Sequence, residues 1–302
     1  MNIQEIEASV KQCYSTWSQS YYNDYYTGKA AYPPVHQNLI KRILVEAKVR
    51  NLLDAGCGPV SFLRDMTDVE IKLYGFDLTP EMVQEGKRIF QSLDLSADRI
   101  WQGSVLDRSA FCSPVDHPED GFDATIAIGV LPHIPEESDL TVIENLRDSV
   151  RPNGLVIAEA RNELFALFTL NRYSYDFICD QLIRVNQLQT DCGKQTQAFA
   201  EVLDGLRERF RMDIPPIRRG KENEPGYDEI LSRTHNPFVL KQQFIAAGLS
   251  DVDVLFYHFH CLPPMFESIV PDIFHQQSVA MEDPHDWLGH FMASAFIVTG
   301  RR

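Results

Sequence analysis

A chain of 302 residues with 44% hydrophobic and 24% charged side chains has enough apolar content for a real core, which excludes a disordered tail and a disulfide scaffold. Its 43 acidic against 28 basic residues give a formal charge of −15, the wrong sign for gripping a nucleic-acid backbone. Six scattered cysteines without a C-x-x-C pair speak against a structural zinc site. An N-terminus without an apolar stretch, and no apolar run near ~20 residues, predict a cytoplasmic chain with neither a leader nor a membrane span.

Ile3, Ile6, Val10, Tyr14 and Trp17 recur at helical spacing, as do Leu39, Ile40, Ile43, Leu44 and Ala47, so two helices are predicted in the first 50 residues. The joint between them, residues 21–34, is rich in tyrosine, including Tyr25 and Tyr32, and its Gly28, Pro33 and Pro34 predict a loop. From residue 51 short apolar runs alternate with helical stretches. NLLDAG, IKLYGFD, RIWQGS, FDATIAIGVL and GLVIAEA read as five strands, the last entered by a turn at Asn153–Gly154. TPEMVQEGKRIF opens on Thr79 as N-cap with Pro80 in the first helical position, and LTVIENLRDSV is helical. Such alternation implies a parallel sheet with helices on both faces.

The alternation stops at residue 162. NELFALFTLNRYSYDFICDQLIRV and TQAFAEVLDGLRERF read as two helices, and a polar loop carrying Arg218, Arg219 and Lys221 follows. This is the pattern of a helical cap, residues 162–235, inserted after the fifth strand. The core resumes with Asn236 as N-cap, Pro237 at the first helical position and Gly248 as the stop. VDVLFYHFH and ASAFIVTG are the sixth and seventh strands, with a second excursion at 262–290 between them. The expected organisation is an N-terminal pair of helices with an aromatic lid (1–50), a core (51–161 and 236–302), and a cap over an acceptor site.

The most informative segment is LLDAGCGP, residues 52–59. A strand delivers Asp54, and Gly56 and Gly58 turn the chain into a predicted helix whose free N–H groups and dipole face a ligand. Asp77 ends the second strand 23 residues later, where an acidic side chain accepts hydrogen bonds from ribose hydroxyls. Loop and acid together point to an adenosine-containing ligand. A dinucleotide fingerprint wants a third glycine, but the run is Gly56-Cys57-Gly58-Pro59-Val60-Ser61, which suits S-adenosylmethionine better than NAD.

With these motifs in order, the chain resembles the class I S-adenosylmethionine-dependent methyltransferases, over residues 38–160 and 236–300. LLDAGCGP is similar to the family's first motif, YGFDLTPEMV to its second, WQGSVLD to the segment flanking the adenine, FDATIAIGVLPHIPEE to its fourth strand and loop, and LRDSVRPNGLVIAEA to its fifth strand. The resemblance implies a Rossmann-like, seven-stranded, mostly parallel α/β sheet with helices on both faces. It implies that Asp54, Gly56 and Gly58 line the methionine end of S-adenosylmethionine, and that Asp77 holds the ribose beside Leu78. Ser104 and Val105 would edge the adenine, while Ile128, Gly129 and Val130 close the pocket. Two positions depart from the pattern. Val60 stands where a glycine is common, and a β-branched residue resists positive φ, so a different turn is expected there. Ser104 stands where an aspartate often bonds the adenine amino group. These two departures are the support for a rival reading, a nucleoside-binding module without catalysis.

In an open parallel sheet ligands sit beyond the carboxyl ends of the strands. Those ends carry His133, then Glu159, Arg161, Asn162 and Glu163, then His258, His260 and Cys261. His258 and His260, two apart on a strand, are expected to share a face. His133, His258 and His260 are the candidate bases for an alcohol acceptor. Tyr25, Tyr32, Arg161 and Tyr173 are the candidate substrate contacts, although core packing of the cap is the plainer expectation for Tyr173. His258, His260 and Glu159 could chelate a metal, but spacing fixes no third ligand, and no metal is assigned. The predicted function is methyl transfer to a small polar acceptor, namely O-methylation of a sugar-like or glycan-linked hydroxyl. N-methylation of a small amine and an NAD-dependent oxidoreductase are the alternatives, and neither nucleic acid nor membrane is an expected partner.

Overall fold

The computed structural model describes residues 2–17, 22, 32–186, 188, 196–214 and 229–302. Tyr25, Arg218, Arg219 and Lys221 lie outside them. The α-helices of ten or more residues, in chain order among the described residues, are α1 (Ile3–Ser15), α2 (Val35–Glu46), α3 (Pro80–Ser92), α4 (Asp139–Ser149), α5 (Thr196–Arg207), α6 (Pro237–Ala246) and α7 (Pro271–Ala280). The strands are β1 (Asn51–Ala55), β2 (Lys72–Asp77), β3 (Ile100–Gln102), β4 (Phe122–Ala127), β5 (Val150–Arg161), β6 (Ser250–Phe259) and β7 (Ala293–Arg301). They form one sheet in the order β3-β2-β1-β4-β5-β7-β6. β1 to β5 pair in parallel, and β7 runs antiparallel to β5. No helix among the described residues is long and apolar enough to cross a membrane.

Two compact units divide the chain: Met1–Arg161 with Ile217–Leu255 and Ala295–Arg302, and Asn162–Pro216 with Phe256–Ser294. The excursion at 262–290 therefore belongs with the segment after β5 in the second unit, rather than with the sheet core.

In the first unit the central strands are buried on both faces. Leu52, Leu53, Phe76, Ile126, Val156 and Ile157 are fully enclosed, which is why these strands read as apolar runs rather than alternations. The turn at Asn153–Gly154 is present as a bulge within β5, where Phe122 faces Val150 but Ala124 faces Leu155, and Asn153 takes φ 63°. Asn236 caps α6 by accepting from the Phe238 N–H, with Pro237 next and Gly248 (φ 87°) after the end. Thr79 precedes α3 as predicted, but its side chain makes no cap bond.

α1 begins with a capping box: Asn2 Oδ1 accepts from Glu5 N, and Glu5 Oε2 accepts from Asn2 N, both at 2.9 Å. Its inner face is pinned by a cluster of Cys13, Trp17, Met82 of α3 and Ile230, with Tyr14 packed against it.

In the second unit the first predicted long helix is broken. A 3₁₀ turn at Glu163–Phe165, short helices at Ala166–Thr169 and Arg172–Phe177, and a π turn at Ile178–Leu182 take its place. The break falls at Leu170, whose φ is +55°, and Asn171 restarts the chain by capping the Tyr173 N–H.

Candidate active site

The site lies at the carboxyl ends of β1 to β4, where the strand order reverses between β1 and β4. A hollow of about 920 Å³, including its mouth, opens there. All ten residues predicted to contact a nucleoside line it: Asp54, Gly56, Gly58, Asp77, Leu78, Ser104, Val105, Ile128, Gly129 and Val130. Several wall residues were not singled out by sequence reasoning as contacts, four of them on helices. Glu7, Val10 and Tyr14 come from α1, and Met82 comes from α3.

Backbone geometry builds the floor. The N–H groups of Gly56 and Cys57 both donate to the Phe76 carbonyl, at 2.8 and 2.9 Å, tying the glycine loop to β2. Gly56 has φ +87°, and a Cβ there would stand 2.4 Å from Val130 Cγ2. Gly56→Ala is expected to lower the stability of the fold by about 2–4 kcal/mol through left-handed strain and overpacking, read from the urea midpoint. Gly58 also has positive φ, but nothing lies within 4 Å of its missing Cβ. Gly58→Ala should therefore cost about 1 kcal/mol, the strain alone.

Two expectations about this loop are overturned. Val60 was expected to avoid positive φ, yet it adopts φ 53°. Its side chain is fully buried, and burying a valine offers about 1.5–3 kcal/mol against the left-handed cost. The loop was also expected to run into a helix. Instead it passes through turns to a four-residue 3₁₀ segment, Leu63–Met66, because left-handed Val60 interrupts an α-helical path. No α-helix N-terminus therefore faces the cavity from this loop.

Asp77 is held by two backbone donors: Oδ2 accepts from Gly58 N and Oδ1 from Thr79 N, both at 2.8 Å. Burial raises its pKa in spite of these bonds. Asp54 is only 2% exposed, and its Oδ1 has no hydrogen-bond partner. Burial, with the nearby Asp77 charge adding to it, pushes the Asp54 carboxyl well above the usual carboxylate range. The Ser61 hydroxyl, also on the wall, is likewise buried without a partner. Three carboxylates, Glu7, Asp54 and Asp77, line the hollow, and no lysine or arginine does so among the described residues.

At the other end of the wall, His133 is 8% exposed. Its Nδ1 lies 2.7 Å from the Leu231 carbonyl, so Nδ1 carries the proton. Nε2 is then the acceptor for the Tyr14 hydroxyl at 2.8 Å. Burial lowers the His133 pKa to about 4; the Leu231 carbonyl opposes that shift and the Arg161 charge adds to it. His133 is thus a neutral imidazole in a fixed tautomer. Arg161, at the end of β5, donates to the Ser232 hydroxyl. Glu159 Oε2 accepts from Gly129 N at 2.6 Å. Tyr32 is half-buried and does not line the hollow.

The remaining candidates fall in the second unit. His258 and His260 share a face as expected, their rings stacked at 5.0 Å and 17°. His260 packs on Phe165 at 4.7 Å, and burial lowers its pKa to about 4. Neither lines the hollow. Tyr173 was expected to pack in a core but is exposed, lying under the Arg172 guanidinium at 5.0 Å. Asn162 is spent structurally, its amide donating to the carbonyls of Gly289, His290 and Ala293. No group of three or more His, Cys, Asp or Glu side chains suited to a metal occurs among the described residues.

Comparison with known proteins bears on the fold. Residues 53–156 match the family model of a methyltransferase domain. No curated protein matches the chain. Among solved structures, DhpI in its complex with SAH is similar at a TM-score of 0.52 and 13% identity, over 99% of this chain and 98% of that one. Magnesium protoporphyrin IX methyltransferase from Synechocystis PCC 6803, with bound SAH, is similar at a TM-score of 0.52 and 13% identity, over 98% and 99% of the two chains. The chain has the class I methyltransferase fold.

Proposed function

We propose that this chain, which carries a methyltransferase domain at residues 53–156, uses S-adenosylmethionine to methylate a hydroxyl of a small, polar, sugar-like acceptor. The observation that carries the cofactor reading is the charge of the wall. A buried, unpartnered Asp54 oxygen beside Asp77 and Glu7, with no lysine or arginine on the wall among the described residues, suits a ligand bearing an ammonium and a sulfonium. The same wall repels a pyrophosphate, which needs the helix N-terminus that this loop lacks. Asp77 keeps acceptor capacity for a ribose diol, and Asp54 faces the methionine ammonium.

S-adenosylmethionine supplies an electrophilic methyl on sulfur; transfer to oxygen forms a C–O bond as the S–C bond breaks. The protein's task is to orient the acceptor, exclude water and take the hydroxyl proton. Tyr14 and His133 supply the proton path. The acceptor proton, made strongly acidic as the C–O bond forms, passes to the Tyr14 oxygen as Tyr14 gives its own proton to His133 Nε2. Leu231 holds the tautomer in which Nε2 is the acceptor, and the lowered pKa makes this ring a weak base that takes the proton late. Arg161, close enough to oppose protonation of His133, is the polar group proposed to contact the acceptor. An amine acceptor would need no such path.

Calorimetric titration with S-adenosylhomocysteine and with NAD tests the cofactor. Saturable binding of the first and none of the second is expected, and binding of NAD alone overturns the reading. Labelled methyl donor offered with panels of hydroxylated sugars and of small amines tests the acceptor; transfer only to amines overturns the hydroxyl reading. Tyr14→Phe is expected to lower single-turnover methyl transfer by about 10²-fold while S-adenosylhomocysteine binding stays within about threefold. Equal loss of both would reduce Tyr14 to packing.

A further inference from the structure

The wall near Ser104 has a feature that the functional reading does not use. The Ser104 hydroxyl has one proton, and it donates that proton to Glu7 Oε1 at 2.6 Å. Ser104 Oγ in turn accepts from the Leu106 N–H at 3.1 Å. Ser104 is therefore occupied both as donor and as acceptor. Glu7 is ninety-seven residues away in the chain and stands on α1, half-exposed, with its side chain on the wall of the hollow. Its carboxylate is held by one oxygen, and the other makes no hydrogen bond among the described residues. A carboxylate steered by a hydroxyl from inside the wall is a directed acceptor, and such charge-assisted bonds are about twice as strong as neutral ones.

The position of this acceptor follows from the rest of the site. With the ribose on Asp77, the base leaves toward Leu78 and the Gly103–Val105 segment, the stretch of wall that follows β3, the strand paired with β2. The exocyclic edge of a purine then reaches Ser104 and Glu7. An amino group on that edge offers protons to the carboxylate, whereas a carbonyl there would meet it with a repelling lone pair. We propose that Glu7, lent by the N-terminal helix, reads the 6-amino group of the nucleobase and makes the site specific for adenine over a 6-oxo or unsubstituted purine. This inference rests on the S-adenosylmethionine reading and adds a residue to it. It also gives α1 a role in binding: the capping box at Asn2–Glu5 and the Cys13–Trp17–Met82–Ile230 cluster fix the two ends of the helix on either side of Glu7.

The test compares binding of S-adenosylhomocysteine with binding of its analogue in which hydrogen replaces the 6-amino group. Wild-type protein, Glu7→Ala, Glu7→Gln and Ser104→Ala are titrated with both. The wild type should prefer the amino compound by about tenfold or more, the range of a hydrogen bond to a charged group. Glu7→Ala should bring the preference to within about twofold, chiefly by weakening the amino compound. Glu7→Gln, whose amide oxygen still accepts, should retain part of the preference and guards against loss of α1 packing in the alanine variant. Ser104→Ala should keep a reduced preference, since it frees the carboxylate without removing it. A wild-type preference that persists in Glu7→Ala, or that vanishes only in Ser104→Ala, overturns the assignment to Glu7. Equal binding of both compounds by the wild type overturns it too, while leaving the methyl-donor reading in place. Binding of neither compound overturns both.

Discussion

Asp77→Ala is expected to weaken S-adenosylhomocysteine binding by about 10²–10⁴-fold, from the loss of two hydrogen bonds between ribose hydroxyls and a charged acceptor at about 1.5–3 kcal/mol each. The loss has a second source in the protein itself. Gly58 N and Thr79 N both donate to this carboxylate at 2.8 Å. Alanine leaves both donors without their partner and removes the side-chain tie between β2 and Gly58, while the bonds of Gly56 N and Cys57 N to the Phe76 carbonyl remain. Asp77→Asn keeps one oxygen but turns an amide N–H₂ toward a backbone N–H, so it should fall between wild type and alanine. Calorimetry gives the affinities, and the urea midpoint separates the two sources. A variant with near wild-type stability and lost binding places the effect on the ribose. Wild-type affinity in Asp77→Ala would end the assignment of this pocket to a nucleoside.

Much of this pocket was legible because its parts are local. Asp54, Gly56 and Gly58 occupy one strand and turn, and the apolar runs of β1, β4 and β5 place their ends on one edge by the handedness of parallel connections. What escaped has long-range or backbone causes. Tyr14 and Glu7 read as ordinary positions of an amphipathic helix, because their partners His133 and Ser104 are 119 and 97 residues away and no periodicity marks such contacts. The missing helix after Gly58 was decided by the buried, left-handed Val60, where packing overrode a local preference. His258 and His260 were expected to share a face and do. Their position on a strand end did not reveal that this stretch of chain belongs to the second compact unit, since unit membership depends on the excursion that follows β6. The break at Leu170 was equally hidden, since NELFALFTLNRY carries helical spacing on both sides of it.

Asp54→Asn is expected to move stability and binding in opposite directions. The carboxyl is buried and its Oδ1 lacks a partner, and burial holds it toward the protonated form. A group whose folded pKa is raised favours the folded state fully below the unfolded value, near 3.9, and loses that contribution as pH rises toward the folded value. Between those values the folded chain binds more protons than the unfolded chain, so the ligand-free protein should lose stability from about pH 4 upward on this account. Asparagine mimics the protonated carboxyl and carries no charge, so the variant should lack that slope and equal or exceed the wild type in stability at neutral pH. Binding responds with the other sign. The methionine ammonium of the donor would pair with ionised Asp54, so wild-type binding should release a proton. That release appears as a dependence of the calorimetric enthalpy on the ionisation enthalpy of the buffer. Asparagine leaves the ammonium without its counter-charge, and breaking a buried pair costs about 3–5 kcal/mol, a fall in affinity of about 10²–10⁴-fold with no buffer dependence. A variant that binds as tightly as wild type, with the same proton release, would remove Asp54 from the ligand and leave its burial without a function.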